Sequence, residues 1–550
     1  MSDALDAIKA GYTFTTPAID LGALVHDGTP VPDVTIRLAL SMLNRHGLVA
    51  GATGTGKTKT LQLMAEQISR AGVPVFAADI KGDLSGLAIP GVASEKLLAR
   101  TRAIGQEFTP GACPVEFYAL GGEGTGTPLR ATVTSFGPLL LSKVLGLNVT
   151  QESSLALVFH YADLNNLLLL DLKDLSALLK FLTSDEGKTE LEDIGGLSKA
   201  TVGVIQRQIT ALAAQGGDAF FGEPEFDTAD LLTLTPDGLG VISLLELPKL
   251  QDRPALFSTF LMWLLADLYS DLPEAGDLDK PKLVFFFDEA HLLFNGASKA
   301  FVEAIEQTVR LIRSKGVGVF FVTQTPKDVP ENVLAQLGSR VQHQLRAHTP
   351  NDAKALRATV ATYPRTGYDL AERLQQLGIG EAVVTVLNPS GAPTPVAWTR
   401  MRAPQASMEP LDAGAMARGV ASSQMHAKYG AAIDRESAYE VLNARLQAGA
   451  AAAAARAEAA QREKDAAARE KEAAARAKAD ASAAREAARA DKALRAERER
   501  EERAERPRAA STRKEKGFFE QLTQNTMVRQ MAREASREIT RSIFGTGRRR

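Results

Sequence analysis

Gly51-Ala52-Thr53-Gly54-Thr55-Gly56-Lys57-Thr58 decides the fold. It follows the pattern G-x-x-x-x-G-K-[ST], in which glycines let backbone N–H groups turn inward around phosphate oxygens. The N-terminus of the helix behind the loop favours negative charge. In that geometry Lys57 reaches the β- and γ-phosphates and the Thr58 hydroxyl sits on Mg2+. The flanks supply the context the pattern needs. Leu48-Val49-Ala50 is a short apolar run leading in, and Thr60-Leu61-Gln62-Leu63-Met64-Ala65 continues with helical periodicity. Strand, loop and helix in that order predict a nucleotide-binding loop with Mg2+, and a Glu directly after the Asp at the end of the later strand 283–287 makes ATP the expected nucleotide.

Working outward, residues 73–79 (Val-Pro-Val-Phe-Ala-Ala-Asp) read as a buried parallel strand ending in a carboxylate. Residues 241–244, 283–287, 317–323 and 382–387 have the same strand character, the last closing the series. Strands alternating with helices predict an α/β fold with a mostly parallel sheet covered on both faces. Residues 135–215 differ. Their Leu-rich runs at 3.6-residue spacing predict a helical insertion between two halves of the α/β domain.

A phosphate loop needs a partner for its metal and a group to activate water. Phe285-Phe286-Phe287-Asp288-Glu289 supplies both. Asp288, at the end of an apolar strand, is placed to hold the Mg2+ water shell, and Glu289 is placed to polarise the attacking water. Residues 319–323 run into Gln324, a polar group at a strand tip that can touch the γ-phosphate or the lytic water. Between these motifs lie Arg310, Arg313 and Lys315, any of which can stabilise charge developing on the γ-phosphoryl group. A base-reading Asn-Lys-x-Asp string, which a switch-type GTPase needs, is absent from the sequence. His291 reads as structural, Cys113 as a small buried hydrophobe, and no H-x-x-x-H pair suggests zinc.

The bulk numbers set outer limits. At 550 residues there is room for one large or two ordinary domains plus appendages, and a net charge of −2 does not by itself mark a polyanion binder. One cysteine leaves no internal disulfide and fits a reducing compartment. The first residues lack a signal-peptide pattern and no stretch nears twenty uncharged apolar residues, so the expectation is a cytoplasmic protein without a transmembrane segment.

Four segments flank or follow the core in this reading: a lead-in over 1–45, a linker over 404–450, a helix over 451–510 and a tail over 511–550. Within 451–510 every residue is alanine or charged except Gln461, Ser482, Leu494 and Pro507. That is the strongest helix-forming mixture, and fully helical it spans on the order of 90 Å. Leu494 alone cannot form the apolar seam of a coiled coil, which favours a solvated single helix held by i,i+4 ion pairs. An alanine-seamed helix pair and a nucleic-acid-tracking arm are the alternatives. The tail sets Phe518, Phe519, Leu522, Met527, Val528, Met531, Ile539, Ile543 and Phe544 at near-helical spacing among Arg529, Arg533, Arg537 and Arg541. It reads as a basic amphipathic helix that docks back on the ATPase or a neighbouring subunit, or meets an anionic partner, nucleic acid ahead of membrane.

With these residues in place, the chain resembles the HerA/FtsK group of ring-forming P-loop motors, and most of all the HerA-like bacterial ATPases. The matching strings are Asn44-Arg45-His46-Gly47, Asp79-Ile80-Lys81-Gly82-Asp83, Asp288-Glu289-Ala290-His291 and Val322-Thr323-Gln324-Thr325-Pro326, in the family's order over about residues 15–400. The resemblance implies a RecA-like ASCE core over 46–403, a helical insertion and a homo-hexamer. It implies a trans-acting arginine at Arg45 and a cis-acting one at Arg313, with Gln324 as the sensor. HerA translocases carry a small β-barrel before the core, and 45 residues are too few for one. The expected function is an ATPase motor that translocates along double-stranded DNA. The rivals are a remodeller acting on protein, as in secretion and conjugation, and a nucleotide-gated scaffold that binds a partner through the C-terminal arm.

Overall fold

Phe285, Phe286 and Phe287 are all buried, the middle ring facing one side of a sheet and its neighbours the other. A strand apolar on both faces belongs in the interior of a parallel sheet, and the computed structural model puts it there. It describes residues 2–504 apart from 123, 192–194, 248–253 and 295–298. Twelve strands form one sheet: β1 (Ala18–His26), β2 (Thr29–Ala39), β3 (Gly47–Ala50), β4 (Val75–Asp79), β5 (Val115–Leu120), β6 (Thr127–Leu129), β7 (Ile242–Glu246), β8 (Leu283–Phe287), β9 (Val317–Thr323), β10 (Ser339–Gln342), β11 (Glu381–Thr385) and β12 (Ala397–Met401). Their order is β2-β1-β12-β11-β10-β3-β9-β8-β4-β7-β5-β6. From β10 to β6 every pairing is parallel; from β2 to β10 every pairing is antiparallel.

Leu48, Phe76, Phe285, Phe287 and Phe321 face the core covered by the insertion helices, whereas Val49, Val75, Phe286, Phe320 and Val322 face the core under the helix Lys57–Arg70. The insertion is helical as expected, with helices Val133–Val144, Val149–Leu164, Leu172–Leu182, Asp185–Glu190 and Lys199–Leu212. Each of these five has a side-chain N-cap, from Thr132, Asn148, Asp171, Ser184 and Ser198. Asn148 and Asp171 each form a reciprocal capping box, which satisfies N–H groups the helix itself leaves free.

Three boundaries differ from expectation. Residues 1–45 are not a lead-in: β1 and β2 extend the sheet by pairing onto β12. Gln67, on the helix behind the phosphate loop, exchanges two hydrogen bonds with the Asp20 backbone, at 2.8 and 2.7 Å. The closing strand is therefore β12, not residues 382–387. Residues 404–430 are likewise not a free linker. Glu66 accepts N–H bonds from Gln405 and Ala406 at 2.8 and 2.9 Å, and helices Ala413–Ser422 and Gln424–Tyr429 end at a buried Tyr429 beside Phe226.

The long helix runs Ala438–Ala504, starting earlier than its alanine-rich stretch. Its first turns belong to the core, with Ala438 and Leu442 buried and Asp174 accepting from the Tyr439 N–H at 2.8 Å. Residues 453–504 form a separate unit in which every side chain is exposed, Leu494 included. Arg462–Glu458, Arg476–Glu472 and Arg495–Asp491 supply the i,i+4 ion pairs. The tail expected over 511–550 lies outside the described residues. No helix among the described residues is long and apolar enough to cross a membrane.

Candidate nucleotide-binding site

The phosphate loop leaves the end of β3 and closes on the helix Lys57–Arg70. Gly56 has φ 114°, and a Cβ there would stand 3.3 Å from the Gly380 backbone, so both conformation and space select glycine. The Thr55 hydroxyl and the Lys57 ammonium both donate to the Ala52 carbonyl, at 2.7 and 3.2 Å, which curls the loop over its own centre. Thr53 and Gly54 are exposed at its crest, and Thr58 is half-buried in the first helical turn. Burial lowers the Lys57 pKa, while Glu289 draws it back up.

Strand order sets the rest of the site. β9 lies directly beside β3, with Thr323 in register with Ala50, so Gln324 follows at the edge where the loop begins, exposed to solvent. One strand further, β8 delivers Asp288 and Glu289 to that same edge. Asp288 is buried; one of its oxygens accepts from the Glu289 N–H at 2.8 Å and the other has no partner. Burial, with the adjacent Glu289 charge, pushes the Asp288 pKa up to about 7. Glu289 is held in the left-handed region at φ 47°, unusual for a side chain with a Cβ. Burial would raise its pKa, but the Lys81 ammonium paired with it carries it below the usual carboxylate range. Nδ1 of His291 lies 3.2 Å from the other Glu289 oxygen.

Fit to a nucleotide and its metal can be judged on two features. The Asp288 oxygen buried without a partner is the kind of atom a metal-bound water would satisfy. The crest glycine Gly54 has φ 81° and no atom within 4 Å of where a Cβ would stand, which leaves open room at the loop mouth. These residues suit a Mg2+-bound triphosphate, with Thr58 and Asp288 as the groups to hold the metal.

The two arginines implied by resemblance stand elsewhere. Arg45 precedes β3 and Arg313 precedes β9, which puts both at the opposite edge of the sheet from the loop. Seven residues of β9 separate Arg313 from Gln324, roughly 20 Å at strand rise. The cis role for Arg313 therefore has no geometric basis in this chain: its guanidinium is exposed and neighbours Arg45 instead of this chain's own loop.

Comparison with known proteins identifies the group. The family described as "Helicase HerA-like C-terminal" matches residues 25–550. The chain belongs to this family. Among its relatives, the DNA double-strand break repair helicase HerA of Sulfurisphaera tokodaii is 24% identical over 382 residues, 68% of this chain and 67% of that protein. The protein of the same name from Saccharolobus solfataricus is 24% identical over 358 residues, 64% of each chain. The chain thus spans about two thirds of the length of these HerA relatives. Among solved structures, the unbound bacterial conjugative coupling protein TrwB aligns with 74% of this chain and 94% of its own, at 15% identity and a TM-score of 0.47.

Three residues of this HerA-like site escaped the sequence reading as site residues. His343 follows β10 on the other flank of β3, fully buried, with Nδ1 2.8 Å from the Glu381 carbonyl and Nε2 2.9 Å from the Thr60 hydroxyl. A carbonyl only accepts, so Nδ1 carries the proton and Nε2 accepts from Thr60. Burial lowers the His343 pKa to about 4, which keeps that neutral tautomer. Arg346, exposed, donates to the Thr53 carbonyl at 3.3 Å and is a cation of this chain at the loop crest. No local pattern marks either residue, because each meets the loop only through strand order. Lys81 stood within the matched string Asp79–Asp83, but its partner 208 residues away was invisible.

Proposed function

We propose that the chain is an ATP-hydrolysing motor that works as a ring of its own copies on double-stranded DNA. The observation that carries the catalytic part is the row formed at one sheet edge by the loop after β3, Gln324 after β9 and Asp288-Glu289 after β8. In this reading the backbone of residues 51–58 and Lys57 bind the phosphates. Thr58 and Asp288 hold Mg2+, which when bound neutralises charge on the phosphate oxygens. Glu289 accepts the proton of the attacking water, and Gln324 orients that water or the terminal phosphate. Arg346 serves this chain's own nucleotide from the loop crest. Arg45 and Arg313, gathered at the far edge, serve the nucleotide of a neighbouring copy. DNA as the track is supported by the names of the HerA relatives, which describe helicases of double-strand break repair.

The test is ATP turnover of the purified chain with and without linear double-stranded DNA across a salt series. Several-fold stimulation that fades with rising salt is expected, because phosphate contacts release counterions. Turnover indifferent to DNA would keep the ATPase and move the substrate to a protein partner. Lys57→Ala is expected to abolish tight nucleotide binding. Glu289→Gln should retain binding and lower turnover on the order of 10²–10⁴-fold. Parental turnover in Glu289→Gln would assign the base elsewhere.

A further inference from the structure

Lys81 pairs with one oxygen of the Glu289 carboxylate; the other is buried without a hydrogen-bond partner, with Nδ1 of His291 3.2 Å away. The oxygen held by Lys81 is poorly placed to take a proton from water, since the ammonium occupies it. Lys81 comes from the turn after β4, the strand beside β8, where Ala78 is in register with Phe287. The turn is fixed by Asp79, whose two oxygens accept the Gly82 and Leu84 N–H groups at 2.8 and 2.9 Å. The backbone is thus pinned while the Lys81 side chain stays half exposed, against 6% exposure for Glu289. Lys57, at the centre of the phosphate loop, interacts electrostatically with both members of the pair.

We propose that Lys81 is a terminal-phosphate sensor that exchanges partners, leaving Glu289 for the γ-phosphate when a triphosphate occupies the loop and so freeing the base. The proposal rests on the ATPase reading above. A terminal phosphate carries up to about two negative charges and three acceptor oxygens, against one charge and one available oxygen on Glu289. It therefore outcompetes the carboxylate for a mobile ammonium. A diphosphate lacks that group and leaves the pair closed. The device couples release of the base to the presence of the bond to be cleaved.

Two measurements test it in the full chain. The first is a double-mutant cycle of thermal unfolding midpoints for Lys81→Met, Glu289→Gln and the double variant, without nucleotide and with a non-hydrolysable ATP analogue plus Mg2+. Non-additive shifts are expected without nucleotide and additive shifts with the analogue. Additivity in both states would overturn the pairing, and undiminished coupling in analogue-bound protein would overturn the exchange. The second compares affinities. Lys81→Met should weaken the analogue roughly tenfold, the scale of one charge-assisted hydrogen bond, while ADP binds as in the parent. Lys81→Arg should restore much of the discrimination. Equal weakening of both nucleotides, or of neither, would reject the sensor. If the parental chain binds no nucleotide, the ATPase reading fails separately, and the nucleotide-free cycle still decides whether the pair exists.

Discussion

Glu246 closes β7 in register with Asp79 of β4, so two carboxylates stand side by side, Glu246 two strands and Asp79 one strand from Asp288. Glu246 is buried and one of its oxygens has no partner. Burial, reinforced by the Asp79 charge, pushes its pKa up to about 7. The sign of the consequence is fixed. Between the unfolded value near 4.3 and about 7 the folded chain binds the extra proton, so this group costs stability as pH rises through that window and costs no more above it. Glu246→Gln removes the ionisable group. It is expected to stabilise the protein by on the order of 3 kcal/mol at pH 8 and by little at pH 4, measured by urea unfolding at the two pH values. An equal gain at both would show that ionisation is not the cause.

At the scale of elements, the segment following β12 decides how large the folded core is. A free linker would leave Tyr429 without consequence. In the structure its hydroxyl donates to Asp230 at 2.5 Å and accepts from the Asp227 N–H at 3.1 Å, and its ring lies 5.0 Å from Phe226. Tyr429→Ala should therefore cost about 3–5 kcal/mol of stability in chemical unfolding, against less than about 0.5 kcal/mol for a surface position. Why this segment was illegible is physical. Its anchors are a tyrosine and the pair Met416 and Val420, too few apolar residues to show a period, and they are held by hydrogen bonds to distant elements. The central strands were legible because a strand buried on both faces must be a continuous apolar run. β2 did carry a signal, since Val34, Ile36 and Leu38 are buried and alternate with Thr35 and Arg37, but Gly28 before it and Pro30 and Pro32 near its start broke the run, and the stretch read as part of a lead-in. β10 carried none: Ser-Arg-Val-Gln takes its place from its neighbours β3 and β11. The phosphate loop and Asp288-Glu289 were readable for the opposite reason, because each is one contiguous string, whereas the contacts of Lys81 with Glu289, His343 with Thr60 and Arg346 with Thr53 join residues more than two hundred positions apart.

The molecule as a whole presents its phosphate loop and its paired arginines at opposite edges of one sheet. In a ring of identical subunits joined head to tail, each interface brings one face of a copy against a different face of the next. A chain that keeps Lys57 and Glu289 at one edge and Arg45 and Arg313 at the other is suited to such a contact, with each nucleotide finished by its neighbour. Mixing experiments separate this from a site complete within one chain. Arg45→Ala and Arg313→Ala subunits keep their own base, and Glu289→Gln subunits keep both arginines. In pure rings each variant is expected to turn over ATP far more slowly than the parent. In rings assembled from equal amounts of Arg313→Ala and Glu289→Gln subunits, about a quarter of the interfaces pair an intact base with an intact arginine, and turnover should recover to that order. The same recovery is expected with Arg45→Ala. An arginine acting within its own chain would give only the average of two slow rings, so recovery by Arg45→Ala without Arg313→Ala would leave Arg45 as the sole trans group. Absence of recovery for both would mean that the far edge of the sheet takes no part in the neighbour's chemistry.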